Sequence, residues 1–135
     1  MKYVYTDGGR RAEYGMKPLK KYNSGDCVVR SIAQALGQSY RDTFRDLLDG
    51  AYRTGFMPNE GPCYGEYLNH RGWVKSPPLR RPGGGLYRLH ELAAKPGTAL
   101  IHTRRHLTLV RDHTIYDTWN CQYQWAYSYW TPQRA

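Results

Sequence analysis

The hydrophobic positions of the chain change their spacing between its first and second halves. Directly after Asp26, apolar residues recur at the intervals of one helix face, and Gly37 follows where a helix C-terminus favours glycine. The residues of this face are Val28, Val29, Ile32, Ala33 and Leu36. The pattern therefore predicts a first main helix that begins at Cys27, with the Asp26 carboxylate as its N-terminal cap.

Two further helices are predicted before the middle of the chain. Ser39 and Asp42 have the spacing of a capping box, and an apolar face follows them. That face consists of Tyr40, Phe44, Leu47 and Leu48. A short third helix is expected over residues 63–71, because Gly72 then interrupts the pattern. The segment "KSPPLRRPGGG" that comes later has the turn residues of a surface loop.

Alternation of apolar and polar residues replaces the helical spacing from Gly97 onward. The segments "TALIHT", "HLTLVR", "TIYDTW" and "WAYSYW" have this strand pattern, and residues 3–5 form an isolated candidate strand. Helices followed by strands with short connections are typical of an α+β fold. We therefore expect one domain over residues 1–135, in which N-terminal helices pack on a C-terminal antiparallel sheet.

The strands "HLTLVR" and "TIYDTW" are separated by only two residues, which predicts a tight hairpin. With its turn at residues 112–113, Thr108 lies opposite Asp117. The same register places His106 opposite Trp119. Because successive side chains alternate between the faces of a strand, His106 and Asp117 are then diagonal neighbours on one face, within side-chain reach.

Cys27 gives this arrangement a chemical interpretation. A helix N-terminus stabilises a thiolate, and a thiol nucleophile needs a base and a group that orients the base. Cys27, His106 and Asp117 fit these roles, whereas Asn120 has the wrong strand parity to face the imidazole. Each of the three residues also has a purely structural interpretation, since cysteines are common in cores, and histidine and aspartate often serve as satisfied polar groups.

The three cysteines, Cys27, Cys63 and Cys121, are widely spaced. Neither C-x-x-C nor the histidine spacings of zinc sites occur, so no metal and no cofactor are predicted. The odd number of cysteines argues against a disulfide framework, and the chain opens without the apolar run of a signal peptide. These features predict a reducing, cytoplasmic location, and no apolar segment predicts a membrane span.

The chain is basic, with a formal net charge of +9 and a pI near 9.6. Its basic residues are scattered along the sequence, which predicts a non-specific affinity for nucleic acid rather than a dedicated site. Some aromatic side chains have the chemistry to stack on bases, but their place in or near predicted strands favours packing within the sheet. These are Tyr3, Tyr5, Trp119 and Trp125.

Several stretches of the chain resemble papain-like thiol peptidases, above all the compact bacteriocin-processing peptidases, and within that superfamily a group of phage and bacterial proteins. They are "YTDGGR", "GDCVVRSIAQALG", "LIHTRRHLTLV", "TIYDTWN" and "YSYW". The resemblance implies a papain-like fold with Cys27 as nucleophile, His106 as general base and Asp117 as orienting group. Papain-like enzymes usually place an oxyanion-stabilising glutamine where this chain has Lys21. Asn23, with the backbone N–H of the nucleophile, is the expected replacement.

The sequence thus predicts a cysteine peptidase or isopeptidase-type amide hydrolase whose partner is a protein or peptide substrate. Its expected location is the cytoplasm, that of the host cell if a phage encodes the chain. The alternative is a catalytically inactive, basic papain-like module that binds nucleic acid or a host protein, since a fold can be kept without its chemistry. Nucleic-acid binding would weaken steeply with salt and would not require Cys27.

Overall fold

The computed structural model describes residues 1–17 and 25–133. Its helices are α1 (Arg10–Tyr14), α2 (Cys27–Leu36), α3 (Tyr40–Thr54) and α4 (Gly61–His70), with a 3-10 turn at Leu89–Glu91. Its strands are β1 (Lys2–Tyr5), β2 (Trp73–Ser76), β3 (Thr98–Thr103), β4 (His106–Arg111), β5 (Thr114–Asp117) and β6 (Ser128–Pro132). None of the described helices has the length and apolar character needed to cross a lipid bilayer.

The described strands form a six-stranded mixed sheet in the order β1-β5-β4-β3-β6-β2. β1 pairs in parallel with β5, and the other neighbouring strands pair antiparallel. The α+β class is therefore confirmed, but the expectation of a purely antiparallel, C-terminal sheet is wrong. β1 and β2 precede the C-terminal strands in the sequence and still join the sheet. Tertiary packing determines the partner of a strand, and the local alternation of apolar and polar residues does not reveal that partner.

The β4–β5 hairpin has the register that the sequence predicts. Its turn residues, Asp112 and His113, have positive φ angles of 50° and 58°, as tight hairpin turns require. Arg111 pairs with Thr114, and the ladder continues in the same register away from the turn. The carboxylate of Asp117, at the end of β5, is thereby brought towards the start of β4.

The main apolar core lies between the sheet and the helices α2, α3 and α4. Ile32, Leu47 and Leu68, one from each helix, have no exposed surface. They belong to the same cluster as Leu100 and Leu109 of the central strands. Burial of the apolar face of α2 in this cluster holds the helix against β3 and β4. The N-terminus of α2 therefore faces the beginning of β4.

α3 begins as its sequence predicts. The Ser39 Oγ accepts a hydrogen bond from the backbone N–H of Asp42 at 3.1 Å. The carboxylate of Glu13, from α1, accepts two more from the N–H groups of Tyr40 and Arg41, at 2.7 and 3.0 Å. Three of the backbone donors that a helix start leaves without helical partners are therefore satisfied by side chains.

Two helical details differ from the sequence prediction. Leu48, expected on the apolar face of α3, is 46% exposed, and Thr43 is buried. α1 is not among the predicted helices, because a helix of five residues is too short to show an apolar period. The third helix, expected over residues 63–71, is confirmed within two residues at each end.

The opposite face of the sheet carries a smaller apolar cluster, which the 3-10 turn helps to cover. Its buried members are Leu89, Ile101, Ile115, Cys121 and Ala126. A cavity of about 350 Å³ lies on the same side, lined by residues that include Leu79, Leu92, Val110 and Tyr129. Successive side chains of a strand point to opposite faces of the sheet, so this cavity and the core that packs α2 lie on opposite sides of the sheet.

Candidate active site

Cys27 is the first residue of α2, and its thiol is partly buried against the main core. Burial raises the pKa of this thiol, whereas hydrogen bonding with the His106 side chain and the Leu107 backbone N–H lowers it. Both partners lie at the beginning of β4, where the packing of α2 brings the helix start. The helix start that carries the nucleophile candidate therefore faces the strand start that carries the base candidate.

Asp26 occupies the predicted N-cap position of α2, but its side chain makes no capping hydrogen bond, so the predicted role of the carboxylate is wrong. The carboxylate is instead bound by three side chains. Arg30 lies at 2.5 Å, the Tyr40 hydroxyl at 2.9 Å and Arg10 at 3.3 Å. Charge-assisted bonds to guanidinium groups are stronger than a bond to a neutral backbone N–H, which explains why the carboxylate turns away from the helix.

His106 opens β4, and its side chain is only 10% exposed. Its Nε2 lies 2.7 Å from Oδ2 of Asp117. With Nε2 engaged by the carboxylate, Nδ1 is the ring nitrogen that remains for the Cys27 thiol. The indole ring of Trp119 packs on the imidazole with 5.2 Å between the ring centroids. The ring of His106 is thus held on three sides.

Asp117 is 2% exposed, and both of its carboxylate oxygens are bound. Oδ2 accepts from His106 and from the Thr108 hydroxyl, the latter at 2.5 Å. Oδ1 accepts from Arg30 at 3.0 Å and from the backbone N–H of Thr118 at 2.7 Å. A buried carboxylate with this many donors is stable in its charged form.

Arg30 is a residue of the site that sequence reasoning missed. It lies on α2 one turn after Cys27, is 4% exposed, and binds Asp26 and Asp117 at once. Two local signals pointed to it: a charged residue within an apolar helical stretch, and an aspartate four positions before it. Its second partner is 87 positions away in the sequence, so no local pattern pairs the two.

The electrostatics of the site favour a thiolate–imidazolium pair. Burial raises the pKa of the Cys27 thiol, but the hydrogen bond and charge of His106 and the charge of Arg30 outweigh it, and the pKa lies below its usual value. Burial opposes the protonated form of His106 as well, yet the Asp117 carboxylate raises its pKa to about 11. Burial also acts against the charge of Asp117, whereas its donors lower its pKa to about 2. His106 is therefore protonated at neutral pH, and its charge makes the Cys27 thiol more acidic than an ordinary one.

Cys121 is a second thiol at the site, which the sequence did not indicate. Its Sγ lies 3.7 Å from Oδ2 of Asp117. Among the described residues, His106, Asp117 and Cys121 offer ligand atoms within 4.8 Å of one another, a donor set that zinc accepts. An ion there would have to displace the proton between Nε2 and Oδ2 and tolerate the adjacent charge of Arg30. Cys63 is buried on α4 at a separate place.

The oxyanion candidate Asn23 and the neighbouring Lys21 lie outside the described residues, so the predicted oxyanion role stays a prediction. Asn120, the other candidate for the orienting group, is exposed, and its Oδ1 accepts from the backbone N–H of Gln122 at 3.3 Å. The structure thus brings Asp117 to the imidazole and gives Asn120 a place in the turn that follows β5.

Three of the four aromatic residues expected to pack within the sheet have exposed side chains. Tyr5, Trp119 and Trp125 are 52%, 43% and 40% exposed, so this expectation is wrong for them. Tyr3 packs against the smaller apolar cluster, as expected. The guanidinium of Arg88 lies 4.0 Å from the centre of the Trp125 ring. Tyr5 belongs to an edge strand, and the two tryptophans lie in the irregular segment between β5 and β6.

Comparison of the chain with protein-family models, with curated proteins and with solved structures gives no significant match. The chemistry of the site therefore rests on its own geometry. That geometry places a thiol at a helix N-terminus that faces the strand of an imidazole, and it binds the imidazole to a buried carboxylate.

Proposed function

We propose that the chain is a thiol-dependent amide hydrolase, a cysteine peptidase or isopeptidase with a papain-like fold. Cys27 is the nucleophile, His106 the acid–base residue and Asp117 the orienting group. The observation that carries the proposal is the bond of 2.7 Å between His106 Nε2 and the buried Asp117 carboxylate, next to a helix start whose thiol has a pKa that His106 lowers. Nucleophilic catalysis by cysteine or serine uses this order of groups on unrelated folds.

The reaction begins with attack of the Cys27 thiolate on the carbonyl carbon of an amide, which forms a C–S bond and an oxyanion. Collapse of the oxyanion breaks the C–N bond, and the His106 imidazolium donates its proton to the departing amine. Neutral His106 then takes a proton from water, whose oxygen attacks the thioester. The C–S bond breaks, the carboxylic acid product leaves, and the thiolate–imidazolium pair is restored.

Asp117 acts through the imidazole in both half-reactions. Its bond to Nε2 fixes the tautomer in which Nδ1 faces the sulfur, and its charge stabilises the imidazolium. The backbone N–H of Cys27, at the positive end of α2, and the side-chain amide of Asn23 are the proposed oxyanion donors. The substrate is a protein or peptide amide, either in a main chain or at a lysine side chain.

Selective alkylation tests the proposal without a known substrate. Brief treatment with iodoacetamide at neutral pH, followed by mass spectrometry, is expected to label Cys27 well before Cys63, because burial raises the pKa of the Cys63 thiol. His106→Ala should slow the labelling of Cys27 strongly. His90→Ala is the matched control, since His90 is also partly buried and hydrogen-bonded but lies against Gln122.

Equal labelling of Cys27 in the wild type and in a folded His106→Ala variant would remove His106 from the reaction and end the hydrolase proposal. If nucleic acid then bound tightly, with a steep salt dependence and no effect of Cys27→Ala, the basic binding module would take its place.

A further inference from the structure

The ion pairs of Arg30 connect the helix of the nucleophile to the strand of the orienting carboxylate. Arg30 Nη1 lies 2.5 Å from Asp26 Oδ1, and Nη2 lies 3.0 Å from Asp117 Oδ1. The side chain is 4% exposed, so these bonds form away from solvent. A planar guanidinium can bind two carboxylates in fixed directions, which a lysine ammonium does less well.

Arg30 binds Oδ1, the oxygen of the Asp117 carboxylate that does not face the imidazole. Oδ2 is shared by His106 and Thr108, whereas Oδ1 is shared by Arg30 and the N–H of Thr118. Rotation of the carboxylate would break bonds at both oxygens at once. The guanidinium therefore sets the angle at which Oδ2 meets Nε2.

The segment that follows β1 contacts both residues of the Arg30–Asp117 ion pair. The N–H of Thr6 donates to the carbonyl of Asp117 at 2.9 Å. Gly8, with φ of 74°, lies so close to α2 that an added Cβ would come within 2.8 Å of Arg30 Cα. Backbone contacts thus hold Arg30 and Asp117 at a fixed separation, and a side chain at Gly8 would disturb it.

We propose that Arg30 is a positioning residue that fixes the Asp117 carboxylate towards His106 and ties it to the helix that carries Cys27. This inference rests on the proposed function. Arg30 binds the carboxylates of Asp26 and Asp117. It acts by keeping a buried carboxylate ionised and correctly rotated, and its positive charge also favours the thiolate one turn earlier on α2.

The pH profile of Cys27 alkylation by iodoacetamide tests this role. Arg30→Gln should move the profile to higher pH and slow the labelling at neutral pH by about tenfold, the effect of one pKa unit. Arg30→Lys keeps the charge but not the two-sided geometry, and should fall between Arg30→Gln and wild type. Arg11→Gln is the matched control, because Arg11 also pairs with an aspartate four positions away, Asp7, and should leave the profile unchanged.

Folded Arg30→Gln and Arg30→Lys proteins with the wild-type profile would overturn the inference and leave the hydrolase proposal intact. A wild-type Cys27 that is neither selectively labelled nor dependent on His106 would overturn both.

A measurement on the wild type keeps the inference testable if the variants do not fold. In an acid titration followed by NMR, protonation of Asp117 should release the guanidinium and change the ring resonances of His106 at the same pH. Guanidinium and imidazole resonances that change at different pH values would show that Arg30 and His106 are not linked through this carboxylate, and would overturn the inference.

Discussion

The starts of α2 and α3 carry similar sequence signals but are built differently. At α3, Ser39 accepts a hydrogen bond from the helix backbone, and Glu13 reaches over from α1 to accept two more. At α2, Asp26 is one of the best capping residues by preference, yet its side chain makes no capping bond. At the start of α3, a carboxylate and a hydroxyl accept hydrogen bonds from the helix backbone, whereas the first position of α2 carries the thiol of Cys27.

The difference shows where a local rule yields to a longer-range network. The carboxylate of Asp26 is bound to two arginines and a tyrosine, and one of those arginines extends the network to Asp117. Local preference fails here because a buried guanidinium is a stronger partner than a backbone donor. Such failures are expected at functional sites, and this one occurs one residue before Cys27.

The largest effect is expected from Asp117→Asn. The amide can still hold the imidazole but cannot stabilise the imidazolium, so turnover of an amide substrate should fall by about 1,000- to 10,000-fold, as in triads on other folds. Asn120→Ala is the control and should have little effect, because Asn120 faces a turn. Each variant is checked by thermal melting. A fully active Asp117→Asn with an inactive Asn120→Ala would transfer the orienting role to Asn120.

A loss of folding in Asp117→Asn would instead support the structural interpretation, in which this carboxylate only ties together β4, β5 and α2.

Asp26→Ser distinguishes the two helix starts by stability. Serine and aspartate are about equal as helix caps, so a capping role predicts almost no change. The ion-pair network predicts a loss of about 3 kcal/mol in the free energy of unfolding, because Arg30 and Arg10 lose a largely buried anionic partner. Denaturant unfolding measures the difference. A loss below about 0.5 kcal/mol would mean that Asp26 serves only the helix backbone.

The site should also limit stability at both ends of the pH scale. Asp117 has a lowered pKa of about 2, so its contribution of about 2 kcal/mol is present above pH 4 and is lost as the pH falls towards 2. His106 has a raised pKa of about 11, so its contribution is complete below about pH 6.5 and is lost as the pH rises through 11. Thermal melts should therefore be highest between about pH 4 and 6.5.

The acid part of this pH dependence has a direct control. Asp117→Asn cannot lose a charge at low pH, so its melting temperature should fall less steeply between about pH 4 and 2 than that of the wild type. Parallel curves for the two proteins would place the acid sensitivity elsewhere in the chain.

The smallest effect is expected from Ser39→Ala at the other helix start. Loss of the hydroxyl acceptor should lower the free energy of unfolding by about 1 kcal/mol. The rate of Cys27 alkylation should not change, because Ser39 has no contact with the site. A changed alkylation rate would show that the two helix starts are coupled, and the comparison between them would have to be redrawn.

Periodic and local features of this fold could be predicted from the sequence. The stripe of α2, the Ser39 cap and the hairpin register depend on residues that are close together in the chain, and the register alone brought Asp117 to His106. The parallel pairing of β1 with β5 could not be predicted, because it joins segments at opposite ends of the chain. Arg30 was missed for the same reason, since its partner Asp117 lies on a distant strand.

Residue chemistry alone also could not decide between the alternative partners of Asp26. Asp26 had a backbone cap and a nearby arginine within reach, and only the buried surroundings of Arg30 decide which one it binds. Cys121 carried no signal, since it follows β5 in an irregular segment whose path the strand pattern does not specify.

The parallel pairing of β1 with β5 has a consequence for the order in which the protein is made. The hydroxyl of Tyr3 donates a hydrogen bond to the carbonyl of Asp117, which lies 114 positions later in the chain. Arg30 pairs with the carboxylate of the same residue, 87 positions after itself. At a synthesis rate of about 5–20 residues per second, roughly 4–17 s separate the appearance of Arg30 from that of Asp117. For most of that interval Cys27 has neither the proposed base nor the proposed orienting carboxylate, because His106 appears only 11 positions before Asp117. If Cys27 is the nucleophile that we propose, a growing chain carries an ordinary thiol, and the reactive thiol forms only when β5 has left the ribosome and joined the sheet.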